Sequence, residues 1–327
     1  MHYTQPLPPN QHRANRADEP WYILGAGAIG SLWACYLSLA GHQVRLILRD
    51  PVKLQHFSGQ IRLSTPTRAQ TREHTLSLQA ELAHQRAPIQ RLLVTTKSYD
   101  TLAAIDTISH RLSGSSLIVS LQNGMGQQQQ LADRLAECAV YAGTTTEGAY
   151  RTPGQQLVHA GRGESWIGPI NAAARALGPT ALDSLWQLPL QTGYDDNILN
   201  RLWQKLAINA AINGLTAIHN CQNGELANNP AYLEQMQQLC GEVERLAAAL
   251  KQPLFDRPLF DVALQVATAT ASNYSSMLQD VRNQRHTEID FINGYICRQA
   301  KRLGIDTPYN QALVNRIGDL HPPSTEN

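Results

Sequence analysis

Three polar side chains recur at four-residue intervals in an otherwise apolar stretch: Lys205, Asn209 and Asn213, within Leu202-Trp203-Gln204-Lys205-Leu206-Ala207-Ile208-Asn209-Ala210-Ala211-Ile212-Asn213. On a helix, positions i, i+4 and i+8 drift by only about 40° per step, so the three side chains share one face. A lysine and two asparagines in apolar surroundings are costly to bury unless something pairs with them. A bound polar ligand would be that partner. The rival reading is an exposed polar stripe. It is disfavoured because no carboxylate stands four residues from the lysine to pair with it. Asn220 and Asn223 follow in the loop expected just beyond.

A second chemistry is written in Trp21-Tyr22-Ile23-Leu24-Gly25-Ala26-Gly27-Ala28-Ile29-Gly30, a short apolar run that opens into Gly-x-Gly-x-x-Gly. A helical pattern follows to Ala40, Gly41 stops it, and a second apolar run covers Val44 to Leu48. Strand, glycine turn, helix, strand is the context in which this fingerprint means dinucleotide binding. Gly25 permits the tight turn, Gly27 lets a pyrophosphate approach the backbone, and Gly30 lets the helix lie close on the strand. The turn Gly25, Ala26, Gly27, Ala28, Ile29, Gly30 is therefore expected to line the cofactor, with its phosphates at the helix N-terminus. About 20 residues on, an acidic residue bonds the ribose of NAD whereas an arginine accommodates the 2′-phosphate of NADP. Both stand at the end of the second strand, Arg49 before Asp50. Arg49 comes first and its fork suits a phosphate, so NADPH is expected.

These residues need a scaffold. Arg91 to Thr96 and Ser116 to Leu121 read as further buried strands, while Gln60 to Ser64 and Thr75 to Leu78 alternate like half-buried ones. In a doubly wound sheet the C-terminal strand ends face the ligand. That puts Lys97 near the cofactor's phosphate or ribose, and Asn123, in Gln122-Asn123-Gly124, near the nicotinamide or substrate. Short strand-like pieces over residues 139 to 168 are expected to finish the sheet, with Glu147 a turn carboxylate rather than a site acid. Residues 172 to 188 look like one helix. From Asp196 to about residue 318 long helical periodicity takes over. The expected organisation is a flexible tail over residues 1–20, a dinucleotide-binding Rossmann domain over 21–195 and a helical domain over 196–320. The fold class is α/β, a doubly wound sheet followed by an all-α domain. A helix is expected to start near Thr287, with Glu288 and Asp290 in its first turn.

Bulk properties exclude several classes. The 327 residues suggest two domains, and 43% hydrophobic content suffices for a sizeable core. A formal net charge of +1, from 27 basic and 26 acidic residues, argues against nucleic acid or a membrane surface as partner. Residues 21 to 41 carry no charge and are long enough to cross a bilayer, but their four glycines and the strand-like run after them argue against a membrane helix. The five cysteines have no paired spacing and read as buried thiols of a cytoplasmic protein; no metal site is expected. The first 20 residues lack the apolar core of a signal peptide. Oligomeric state is not legible.

Taken in order, these blocks resemble the ketopantoate reductase (2-dehydropantoate 2-reductase) family. The resemblance covers about residues 21 to 318. It rests on Gly25-x-Gly27-x-x-Gly30, Thr96-Lys97-Ser98, Gln122-Asn123-Gly124 and Lys205-x-x-x-Asn209-x-x-x-Asn213. Asn273 with Ser275-Ser276-Met277-x-Gln279-Asp280, and Thr287-Glu288-Ile289-Asp290, complete it. It implies a Rossmann domain, a helical domain, and reduction of 2-dehydropantoate to (R)-pantoate with NADPH in the route to pantothenate and coenzyme A. It also implies residue roles. Lys205 would be the catalytic lysine, and Glu288 a catalytic carboxylate that would hold the substrate hydroxyl and also touch the cofactor. Ser276 would bind the substrate carboxylate. Asn123, Asn209, Asn213 and Asn223 would line the substrate site or reach the nicotinamide, with Asn273 beside them. Arg49 and Lys97 would hold the cofactor's phosphate end. The alternatives are a reductase of another 2-oxo acid on the same scaffold, or a non-catalytic NADP(H)-binding sensor.

Overall fold

The computed structural model describes residues 19–66, 70–153 and 156–320, so the expected N-terminal tail lies outside the described residues except for Glu19 and Pro20. The chain opens with β1 (Trp21–Leu24), α1 (Ala28–Leu39), β2 (Val44–Leu48), α2 (Pro51–Gln55), β3 (Gln60–Pro66), β4 (Thr71–Ser77) and β5 (Gln79–Leu82). It continues with β6 (Arg91–Val94), α3 (Thr101–Ile108), β7 (Leu117–Leu121), α4 (Gln127–Arg134) and β8 (Ala139–Thr145). Then come β9 (Gly148–Arg151), β10 (Leu157–Gly161), β11 (Glu164–Pro169), α5 (Ala172–Leu177), α6 (Asp183–Trp186) and β12 (Gln191–Tyr194).

The main sheet has the order β12-β11-β8-β7-β6-β1-β2-β5. All pairs from β8 to β5 are parallel; β11 runs against β8 and pairs parallel with β12. The strand order changes direction between β1 and β6, which is where a doubly wound sheet opens a ligand crevice. Strands such as β1, β6 and β7 are buried along their whole length because both faces are covered. Alternation assigns the faces: Trp21 and Ile23 join one core with α1, Tyr22 and Leu24 the other with the C-terminal helices.

Two expectations change here. The pieces between residues 139 and 168 do not all finish the main sheet. Strands β9 and β10 leave it and build a second, four-stranded sheet, β4-β3-β10-β9, which packs on the far side of α1. Residues 172 to 188 are not one helix: Gly178, at φ +64°, and Pro179 end α5, and a 3₁₀ turn leads into α6. Proline disfavours helical geometry in the residue before it, so the break is local chemistry.

The C-terminal part is helical: α7 (Ile198–His219), α8 (Asn223–Asn228), α9 (Pro230–Ala249), α10 (Leu259–Ala269), α11 (Ser276–Arg282), α12 (Asn293–Arg302) and α13 (Pro308–Asp319). Helix α7, 22 residues and so about 33 Å long, is the spine. It packs on β8 and β11 at one end and against α9, α10, α11 and α13 along its length. It stops at Asn220, whose left-handed φ of +50° is tolerated by asparagine. The helix expected near Thr287 starts later. Residues Ile289–Phe291 form a 3₁₀ turn, and α12 begins only at Asn293 because Ile292 leaves helical geometry. Among the described residues no helix is long and apolar enough to cross a membrane.

Candidate active site

The glycine turn is built as its spacing demands. Gly25 has φ +101°, and a Cβ there would stand 2.4 Å from the Thr96 backbone nitrogen. A Cβ on Gly30 would meet Gly25 O at 2.2 Å and Thr95 Oγ1 at 2.3 Å. The turn is therefore locked onto the end of β6, with Thr95 Oγ1 donating to Gly25 O at 2.7 Å. Gly27 is the opposite case: among the described residues, its chain neighbours aside, nothing lies within 4 Å of where its Cβ would be. No side chain among the described residues caps α1 at that end. Open space over uncapped N–H groups is a cradle that fits a phosphate. Ala26, Ala28 and Ile29 complete the turn.

At the end of β2 the two residues that could choose between cofactors have separate fates. Asp50 accepts from Val52 N at 2.8 Å and caps α2. Arg49 is 87% exposed in its side chain, with only Asp100 among the described residues within ion-pair range, at 3.7 Å. The carboxylate is thus engaged in a helix cap while the guanidinium stands open.

Across the crevice, Lys205 projects from α7 toward the end of β8 and donates to Thr145 O at 2.7 Å. Burial pushes its pKa down to about 8, against the upward pull of Glu288. Asn209 is half-buried and Asn213 buried on the same helix face. Neither amide has a hydrogen-bond partner among the described residues. Asn223 is the first residue of α8, not a loop residue; its Nδ2 donates to Thr270 Oγ1 at 2.9 Å, while its buried Oδ1 has no partner among the described residues. Asn273 is exposed and contributes its carbonyl to Asn223 N at 3.0 Å. Ser276 is exposed at the start of α11, where the cap is its buried neighbour Ser275.

Glu288 closes the crevice. One carboxylate oxygen accepts from Ser98 N at 3.0 Å and Ser98 Oγ at 2.7 Å. The other accepts from Asn123 Nδ2 at 3.2 Å and lies 3.5 Å from Lys97 Nζ. The same segment holds Gly124, whose Cβ would stand 2.5 Å from Phe291 O, while Met125 N donates to Phe291 O at 2.8 Å. Lys97 is the clearest departure from expectation. Its ammonium does not stand free for a phosphate; it meets Asp280 at 2.5 Å as well as Glu288. Burial pushes its pKa down, but Glu288 and Asp280 together outweigh that and hold it above the ordinary lysine value. Burial in turn raises Asp280, against Lys97 and Arg285.

Sequence reasoning gave no role to Ser98, Thr145 or Asp280. Ser98 lies in Thr96-Lys97-Ser98 and Asp280 closes the Ser275–Asp280 motif, whereas nothing in the sequence marks a backbone carbonyl such as that of Thr145. Glu147 is also not a plain turn carboxylate: it is only 7% exposed and bonded to His159. No cluster of metal-ligating side chains occurs among the described residues.

Comparison with known proteins gives a consistent picture. The family described as ketopantoate reductase PanE/ApbA matches residues 21–172, and its C-terminal counterpart matches residues 197–321. The 2-dehydropantoate 2-reductase of Vibrio cholerae serotype O1 is 35% identical over 298 residues, covering 91% of this chain and 96% of its own. That of Archaeoglobus fulgidus is 31% identical over 300 residues, 90% and 95% of the two chains. Among solved structures, a PanE/ApbA family ketopantoate reductase from Ralstonia eutropha JMP134 superposes with a TM-score of 0.81 at 28% identity, over 92% and 98% of the chains. A D-mandelate dehydrogenase with NADH and anilino(oxo)acetate reaches 0.83 over the same shares at 23% identity, a likeness of fold alone.

Proposed function

The chain belongs to the ketopantoate reductase family, and we propose that it reduces 2-dehydropantoate to (R)-pantoate with NADPH, using Lys205 as the acid. The observation that carries this reading is the α7 face. A lysine ammonium with its pKa lowered to about 8 stands on one helix face with two unpartnered amides, across the crevice from an open glycine cradle. The dihydronicotinamide, when bound, supplies the hydride that adds to C2 of the 2-oxo acid. As C2 is reduced, negative charge builds on the ketone oxygen. The Lys205 ammonium stabilises that charge and delivers the proton that completes the hydroxyl. Asn209, Asn213, Asn223 and Asn273 orient the substrate without adding charge, and Ser276 offers a hydroxyl to its carboxylate. Asn123 and Glu288 stand where the two halves meet, and Glu288 takes the substrate hydroxyl. For that it must exchange one of its present donors for the substrate.

NADPH rather than NADH follows from Arg49 being open while Asp50 is engaged in its cap. Residues 21–195 hold the cofactor and 196–320 the substrate groups. A cytoplasmic site of action fits five cysteines that are all free and buried.

The test of the substrate is a comparison of kcat/KM for ketopantoate and for 2-oxoisovalerate, which lacks the hydroxymethyl group. A site that hydrogen-bonds a substrate hydroxyl rejects the analogue lacking it, by about 10⁴-fold in favourable cases. A preference well above tenfold that collapses in Glu288→Gln supports the reading. Equal use of the two acids removes Glu288 from hydroxyl recognition and points to another 2-oxo acid.

A further inference from the structure

The carbonyl that receives Lys205 belongs to the last residue of β8, and the turn that follows is fixed from an unexpected direction. Glu147 and His159 are buried, and Glu147 Oε2 accepts from His159 Nε2 at 2.6 Å and from Gly163 N at 3.1 Å. His159 Nδ1 faces Tyr36 Oη at 2.7 Å, and Tyr36 lies on α1, the helix whose N-terminus forms the glycine cradle. An imidazole protonated at Nε2 alone satisfies all three groups: it donates to Glu147 and accepts from the phenol. Next to this, Glu147 N donates to Thr145 Oγ1 at 3.1 Å, and Ser165 Oγ donates to the same oxygen at 2.7 Å.

The geometry of a peptide plane then matters. In a trans peptide the C=O of one residue and the N–H of the next point in opposite directions. Thr146 N–H donates to Glu164 O at 2.8 Å, toward β11. The Thr145 carbonyl of the same plane is thereby aimed away from β11, at Lys205. Any slack in the 146–147 turn would tilt that plane and move the lysine's acceptor.

We propose that Glu147, braced by His159 and Tyr36, is a positioning residue that fixes the Thr145–Thr146 peptide and through it the ammonium of Lys205. Among the described residues none of the three bonds to Lys205 or to the asparagines of α7; they act through the backbone. The charged and titratable groups that bear on this network are Glu147 and His159, with Arg162 and Cys35 acting on Tyr36, and Glu288 acting on the lysine from its other side. The inference rests on Lys205 being the acid.

The test is a kinetic cycle in the full-length protein. Glu147→Gln is expected to lower kcat about tenfold, with KM for NADPH and ketopantoate within about twofold, since misplacement of a catalytic group acts on the chemical step. The alkaline limb of the kcat–pH profile should move to lower pH, because an ammonium with a poorer acceptor is easier to deprotonate. Tyr36→Phe keeps both the ring packing and the Glu147 charge; it should move kcat and the limb in the same direction by a smaller factor, about threefold in rate. It also carries the test if Glu147→Gln does not fold. In a Lys205→Ala background either substitution should have no further effect on kcat. Equal losses with and without Lys205, or a pH limb that stays in place, overturn the positioning role. Near-normal turnover of Lys205→Ala by itself is a different failure, that of the lysine as acid.

Discussion

The two walls of the crevice are made of different material. The wall we assign to the cofactor is backbone: a glycine turn locked by close contacts and the uncapped N–H groups of α1. The wall we assign to the substrate is side chains, spaced along α7 and brought to the crevice by packing on strands some 60 residues earlier in the chain. A backbone site tolerates little change in shape but asks almost nothing of side-chain chemistry. A side-chain site is the reverse, and it depends on distant anchors such as Thr145 and Ser98. Substitutions on the two walls should therefore fail in different ways: on one wall through cofactor affinity, on the other through the chemical step.

The largest effect is expected on the side-chain wall. Lys205→Ala should lower kcat by about 10²-fold or more, the usual scale for losing an acid catalyst, while NADPH affinity stays close to normal. Steady-state kinetics with a separate NADPH titration separates the two. If affinity and kcat fall together, the walls are not independent. On the backbone wall, Gly30→Ala puts a methyl group 2.2 Å from Gly25 O. Overpacking of that kind costs about 1–3 kcal/mol, so NADPH binding should weaken about 10- to 100-fold. Fluorescence titration of NADPH measures it, and unchanged binding would mean that the turn does not hold the cofactor.

Why one wall was legible and the other only in part follows from the same contrast. The glycine turn is a local object: its residues are consecutive, and each spacing has a steric reason that Gly25 and Gly30 display directly. The Lys205, Asn209, Asn213 series was legible for a similar reason, because helical periodicity aligns it without help from the rest of the chain. Long-range partnerships were not. Lys97 was expected at a phosphate because strand ends face the ligand, yet two carboxylates some 180 residues further on claim its ammonium. Glu147 read as a turn carboxylate because its histidine lies in another strand. The second sheet was hidden for a related cause: β3 pairs in parallel with β10, a strand far along the chain, and no local pattern records that.

Smaller effects sharpen the contrast. Arg49→Ala should raise KM for NADPH about tenfold, the loss of one charge-assisted phosphate contact, and leave KM for NADH nearly unchanged. Equal weakening of both would point to damage in the fold rather than to a lost phosphate contact. The smallest effect is a titration. The acid must be protonated to act, and the Lys205 pKa is lowered to about 8 by burial, so kcat should be flat at lower pH and fall as pH rises through that value. Between about pH 7 and about pH 8 the loss is only about twofold, growing to about tenfold per unit well above the pKa. A kcat profile flat to about pH 10 would assign the proton to another donor.

The most direct test of the central claim is the initial rate of NADPH oxidation, followed by absorbance, with ketopantoate as substrate and NADH run in parallel. Rapid turnover with NADPH and much slower turnover with NADH is the predicted result, and it joins the substrate to the role of Arg49. Clear NADPH binding with no reduction of ketopantoate would contradict the account, and would leave the crevice to a different 2-oxo acid or to a protein that senses the cofactor without using it.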